Sequence, residues 1–140
     1  MSNQKVKGFT LIELLAVIVI LAIIAVIAVP IVLKIINESK ESSVLRSAEF
    51  YLDAVEIAIA LEKLEESVID GDYKIQKDGC LCIIENGTVD CEKPIIIDMN
   101  GNKPSDGTIV IENGIVVSKS STTEAITTIT IGDYDVIYDE

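Results

Sequence analysis

The sequence predicts an α+β protein in which a long N-terminal helix packs on a small antiparallel β-sheet. Three observations carry this. The first is an apolar run from Phe9 to about Ile36 with almost no polar interruption. The second is a charged segment from Asn37 to about Val68 whose apolar residues recur with the helical period of about 3.6. The third is a C-terminal half rich in Ile, Val and Thr, punctuated by Asn-Gly pairs that mark tight hairpins.

The apolar run is the most constrained element. Leu14 to Leu33, LLAVIVILAIIAVIAVPIVL, contains no charge. As a helix rising about 1.5 Å per residue it matches the roughly 30 Å hydrocarbon core of a bilayer. A helix buried in a small soluble domain would carry a polar stripe, and this one has none. The short leader MSNQKVKG contributes Lys5 and Lys7, which orient a single span with its N-terminus in the cytoplasm. A secretory signal peptide would have a shorter apolar core closed by a small-x-small cleavage site, and that pattern is missing.

Between Asn37 and Val68 two apolar stripes emerge at about 100° per residue. Leu45, Ala48, Leu52, Val55 and Ile59 form one; Phe50, Ala54, Ile57, Leu61, Leu64 and Val68 form the other. One stripe suffices to cover a sheet. The second requires either neighbouring molecules or a sheet that curls around the helix. Beyond it, CIIENGTVDC and IVIENGIVV are near-repeats. Turns at Asn86-Gly87 and Asn113-Gly114 set Glu85 against Thr88, Ile84 against Val89 and Ile83 against Asp90, then Glu112 against Ile115 and Val110 against Val117. The segment TTITIGDYDVIY either bends at Gly132-Asp133 or continues as one edge strand.

The same register places Cys82 opposite Cys91. Opposed residues of antiparallel strands lie about 4.5 to 5.5 Å apart at Cα, within the range a disulfide spans, so Cys82–Cys91 is the expected bridge. Cys80 either competes for Cys91 or remains a thiol. Three cysteines, no histidine and a Cys-x-Cys spacing argue against a metal centre, and no cofactor is expected. DMNGNKPSDGTI offers Asp98, Asn100 and Asn102 as calcium ligands, yet Lys103 replaces the glycine and Ile109 the closing Glu that such a loop needs. Asn37 and Asn86 begin glycosylation sequons, the latter already explained as a turn. The pairs Asp133/Asp135 and Glu65/Glu66 read as solvated faces. The chain is therefore not expected to be an enzyme: it lacks His, the commonest general base. Two of its 11 basic residues lie in the leader, so the remainder carries 9 against 23 acidic residues, a net charge of −14. Such a polyanion repels phosphate backbones, and no nucleic-acid partner is expected for the folded part.

One residue resists the plain anchor reading. Glu13 sits at the mouth of the span, where an acid costs up to about 3 kcal/mol if drawn to the bilayer centre. Lys7, Gly8, Phe9, Thr10, Leu11, Ile12 and Glu13, followed by the apolar run, resemble the processing site of type IV prepilins and pseudopilins. The segment 100–109, NGNKPSDGTI, is similar to a loop and strand in pilins of Gram-positive bacteria, and one Arg against ten Lys, with abundant Ile, suggests an AT-rich, clostridial source.

The resemblance implies a pilin-like fold with these parts: a leader, 1–8, that is removed; a membrane and filament-core helix, 9–36; its amphipathic continuation, 37–68; and a sheet head, 69–140. It implies cleavage between Gly8 and Phe9 by a prepilin peptidase, N-methylation of Phe9, a charge pair between Glu13 and the Phe9 amine of a neighbour, and a helix kink at Pro30. Its implied partners are identical or related pilins, an assembly ATPase, a membrane platform protein, and the cytoplasmic membrane before export into a cell-surface filament serving adhesion, motility or biofilm formation. Two other functions are compatible with the residues: a minor pilin or pseudopilin of a DNA-uptake or secretion machine, and a membrane-anchored binding domain.

Overall fold

A computed structural model describes residues 8–65 and 68–139. Lys5, Lys7 and the rest of the leader before Gly8 lie outside the described residues, as do Glu66 and the side chains of Leu64 and Glu65. The chain divides into two compact units, Met1–Lys40 and Glu41–Glu140.

Helix α1 spans Leu11–Glu65, 55 residues. Its run through the first unit is exposed almost throughout, with Leu, Ile and Val on every face, and it is long and apolar enough to cross a membrane. Pro30 lies within the helix. Without an N–H it cannot donate to the Val26 carbonyl, a loss that a helix tolerates in a bilayer where neighbouring groups re-satisfy the acceptor.

The second unit is a seven-stranded antiparallel sheet beneath the C-terminal half of α1. Its strands are β1 (Gly71–Ile75), β2 (Leu81–Glu85), β3 (Thr88–Ile95), β4 (Asp106–Glu112), β5 (Ile115–Val117), β6 (Thr128–Ile131) and β7 (Tyr134–Ile137). The order is β3-β2-β1-β4-β6-β7, with β5 also on β4. The two Asn-Gly hairpins take the expected registers, including Glu85↔Thr88, Ile83↔Asp90, Glu112↔Ile115 and Val110↔Val117. The ambiguous last segment turns back at Gly132-Asp133, pairing Ile131 with Tyr134. Lys103 occupies the loop before β4, where its Nζ donates to Ile97 O.

β4 is the organising strand. One edge pairs with β1; the other is shared, β6 taking Asp106 to Thr108 and β5 taking Val110 to Glu112. Thr127 fills the fork: its Oγ1 accepts from Val110 N at 3.0 Å and donates to Val117 O at 2.6 Å. Gly107, with φ 140°, permits the close approach of β6, since a Cβ there would lie 2.3 Å from Thr128 O.

The core forms where Ala48, Tyr51, Val55 and Ile59 of α1 meet Tyr73, Ile75, Leu81, Ile109, Ile111 and Ile129. The expected first stripe therefore faces the sheet, with Tyr51 added and Leu45 left outside. Tyr51 is fully buried, its hydroxyl donating to Gly79 O at 2.8 Å. The sheet does not curl around the helix: Phe50, Ile57 and Leu61 of the second stripe remain 65%, 62% and 60% exposed.

Candidate functional site

Gly8 is exposed, and a Cβ built on it would meet nothing within 4 Å. Phe9 is also exposed, so the peptide between them is open to an incoming enzyme. Thr10 then precedes the helix as its N-cap. Thr10 N and Thr10 Oγ1 both donate to Glu13 Oε2 at 2.8 Å, and Glu13 N donates back to Thr10 Oγ1 at 3.3 Å. This reciprocal arrangement is a capping box, which satisfies two of the backbone donors that the first turn of any helix leaves without partners.

The capping box gives Glu13 a role within its own chain, which the plain anchor reading lacks. Thr10-x-x-Glu13 before an apolar run is a sequence signature of a helix start, so this role was legible without a structure. Both donors converge on one carboxylate oxygen. Among the described residues Oε1 receives no hydrogen bond, which leaves Glu13 one acceptor for a further cation. The macrodipole also favours a carboxylate in this first turn.

In the second unit, Ala54, Ile57, Ala58 and Leu61 line a groove of about 360 Å³ with Ile96 and Asp98. Ile96, in the strand-to-loop passage after β3, is 75% exposed. The groove is shallow; Glu62 and Asp98 are its two acids, and no Ser, Thr, Cys, Lys or Tyr lines it.

No cysteine lines the groove. Cys82 and Cys91 are joined in a disulfide with Cα atoms 4.8 Å apart. The bridge sits at the register shift of the β2–β3 ladder, between Ile83, paired with Asp90, and Leu81, paired with Ile95, so it joins the strands where the regular hairpin register ends. Cys80 is a free thiol, its Sγ 3.0 Å from Asp78 Oδ1. Burial and the adjacent Asp78 carboxylate push its pKa up, which suppresses the thiolate that nucleophilic chemistry requires. Asp98, Asn100 and Asn102 lie in the loop before β4, and no metal-holding group of three or more His, Cys, Asp or Glu occurs among the described residues.

The exposed Gly8–Phe9 peptide, the capped helix start and the span as far as Val29 fall within one matched segment. Residues 3–29 match the family model of the prokaryotic N-terminal methylation motif. The chain carries the type IV prepilin signature. Comparisons with curated proteins and with solved structures give no match. The prepilin signature points to a structural subunit, and with the long apolar helix it fits a membrane-anchored precursor of pilin or pseudopilin type.

Proposed function

We propose that this precursor is cut between Gly8 and Phe9 by a prepilin peptidase, methylated on Phe9, and polymerised through its helix as a structural subunit of a type IV pilus. The observation that carries this is the divided carboxylate of Glu13. Oε2 caps its own helix, and Oε1 is available to the Phe9 amine of a neighbour. In the low dielectric of a helix bundle two opposite charges attract strongly, while either alone pays a heavy desolvation penalty, so such a pair sets register. Before assembly the span rests in the cytoplasmic membrane. Each large aliphatic side chain is worth about 1.5 to 3 kcal/mol on burial, so the helix passes from lipid to filament core without entering water; a platform protein and an ATPase would drive that transfer. The exposed Phe50–Ile57–Leu61 stripe supports the same reading, because it leaves the head an apolar face for adjacent subunits.

The test separates the cap from the charge. Glu13→Gln keeps a capping side chain at the same position but removes the charge, whereas Glu13→Ala removes both. The expected outcome is normal leader removal in both variants and loss of sheared surface filaments in both. Wild-type filament yield from Glu13→Gln would mean that capping alone accounts for Glu13, and the charge-pair mechanism would be abandoned.

A further inference from the structure

The two near-identical hairpin turns differ in one chemical respect. Asn86-Gly87 has φ angles of 51° and 77°, and Asn113-Gly114 has 55° and 65°, so both are left-handed two-residue turns of the same kind. An Asn-Gly pair is the sequence most prone to cyclisation, because glycine has no Cβ to shield its nitrogen from the asparagine side chain. We infer that Asn86 is a site of spontaneous modification by water, closing to a succinimide and opening to aspartate or isoaspartate, and that Asp70 guards Asn113 against the same change.

The reaction is a substitution followed by hydrolysis, with no change of oxidation state. The Gly87 nitrogen gives up its proton and attacks Asn86 Cγ. The bond from Cγ to the side-chain nitrogen breaks, and ammonia leaves with a proton taken from solvent. Water then adds to one of the two ring carbonyls, and the ring opens to a carboxylate. Solvent supplies the only co-reactant.

Everything around Asn86-Gly87 permits this. Both residues are exposed, and a Cβ built on Gly87 would meet nothing within 4 Å. The ladder pairs Glu85 with Thr88, which leaves the Gly87 N–H outside it; among the described residues no side chain accepts from that N–H. Asn113-Gly114 is held. Asp70 Oδ2 accepts from Asn113 N at 2.8 Å and Asp70 Oδ1 from Gly114 N at 2.9 Å. The carboxylate thus holds the proton on the nitrogen that must lose it and resists the rotation that aims that nitrogen at Cγ. Lys63 lies over the turn, donating to Gly114 O at 2.8 Å and to Asn113 O at 3.4 Å. Only the longer contact touches the carbonyl conjugated with the reacting nitrogen. It favours the reaction, but less than the shorter Asp70 bond opposes it. A charge-assisted hydrogen bond of this kind corresponds to a slowing of about tenfold to a hundredfold. Conversion at Asn86 would add a carboxylate to an acidic head in either product and, as isoaspartate, also an extra backbone atom to the hairpin that Cys82–Cys91 closes.

The experiment incubates the oxidised full-length protein in detergent micelles at mildly alkaline pH, and follows both turns by peptide mapping for the mass gain and for isoaspartate. Asn86 should convert at least about tenfold faster than Asn113. In Asp70→Ala the Asn113 rate should rise on the order of tenfold while Asn86, the internal reference, stays unchanged. A rise at both positions would report a loosened fold, and Asp70→Ser, which removes the carboxylate without creating an Asn-Gly pair with Gly71, then decides by whether it accelerates Asn113 alone. The inference is overturned if Asn113 converts as fast as Asn86 in the unaltered protein, or if both Asp70 variants leave the Asn113 rate where it was.

Discussion

Glu13 and Tyr51 show how far single side chains can be read. The Thr10–Glu13 capping box is written in residues three apart, so it is legible from sequence. The charge pair proposed for Glu13 is not, because its partner would belong to another chain. Tyr51 is the reverse case. Its position among acidic and apolar neighbours does not announce that it is fully buried, since only the sheet beneath creates that burial. Burial raises its pKa, with smaller contributions from Cys80 and Asp78; burial and then Asp70 also raise that of Tyr73. Both phenols are thus held neutral by the fold. Their contribution is intact below the ordinary tyrosine value of about 10 and is lost as pH climbs above it, where the unfolded chain ionises more readily. In a Cys80→Ser background, which removes the thiol that reshuffles disulfides in base, urea titrations should show head stability falling above about pH 10. Tyr51→Phe should lower neutral-pH stability by about 1 kcal/mol through the lost bond to Gly79 and flatten that alkaline fall. An unchanged alkaline slope would contradict the assignment.

At the level of elements, local signals were read and distant ones were not. Asn-Gly turns fix their own registers, so the β2–β3 and β4–β5 hairpins follow from a few adjacent residues. The placement of β1 at the centre of the sheet does not. It requires Gly71 to Lys74 to meet Thr108 to Ile111, and no short-range pattern encodes that pairing. Periodicity revealed two stripes on α1, but which one faces the sheet emerged only with the fold. The stripes make opposite predictions. Ile59→Ala, on the buried stripe, should destabilise the head by about 2 to 5 kcal/mol in denaturant titrations. Ile57→Ser, on the exposed stripe, should change head stability by no more than about 0.5 kcal/mol yet reduce filament yield. A large stability loss in Ile57→Ser, or undiminished filaments, would contradict a subunit-facing stripe.

Over the whole molecule, charge and apolarity are segregated along the chain. Residues 41–140 contain 21 acidic and 7 basic residues, whereas residues 1–40 contain 2 acidic and 4 basic ones. An assembly that brings such acidic heads together works against their mutual repulsion, so its cohesion must come from the apolar helix that precedes them. That division was visible in composition alone, whereas the α+β class rested on the helical period of 37–68 and the Asn-Gly hairpins of the C-terminal half. The identity of neighbouring subunits was not visible, because a surface records only what is left uncovered. A pilin-type precursor loses its leader at the position where the capped helix begins. Intact-mass and N-terminal peptide analysis of the protein recovered from its native cell envelope decides this. A chain beginning with N-methylated Phe9 is expected, and a chain retaining Met1 to Gly8 ahead of Phe9 would rule out processing as a prepilin.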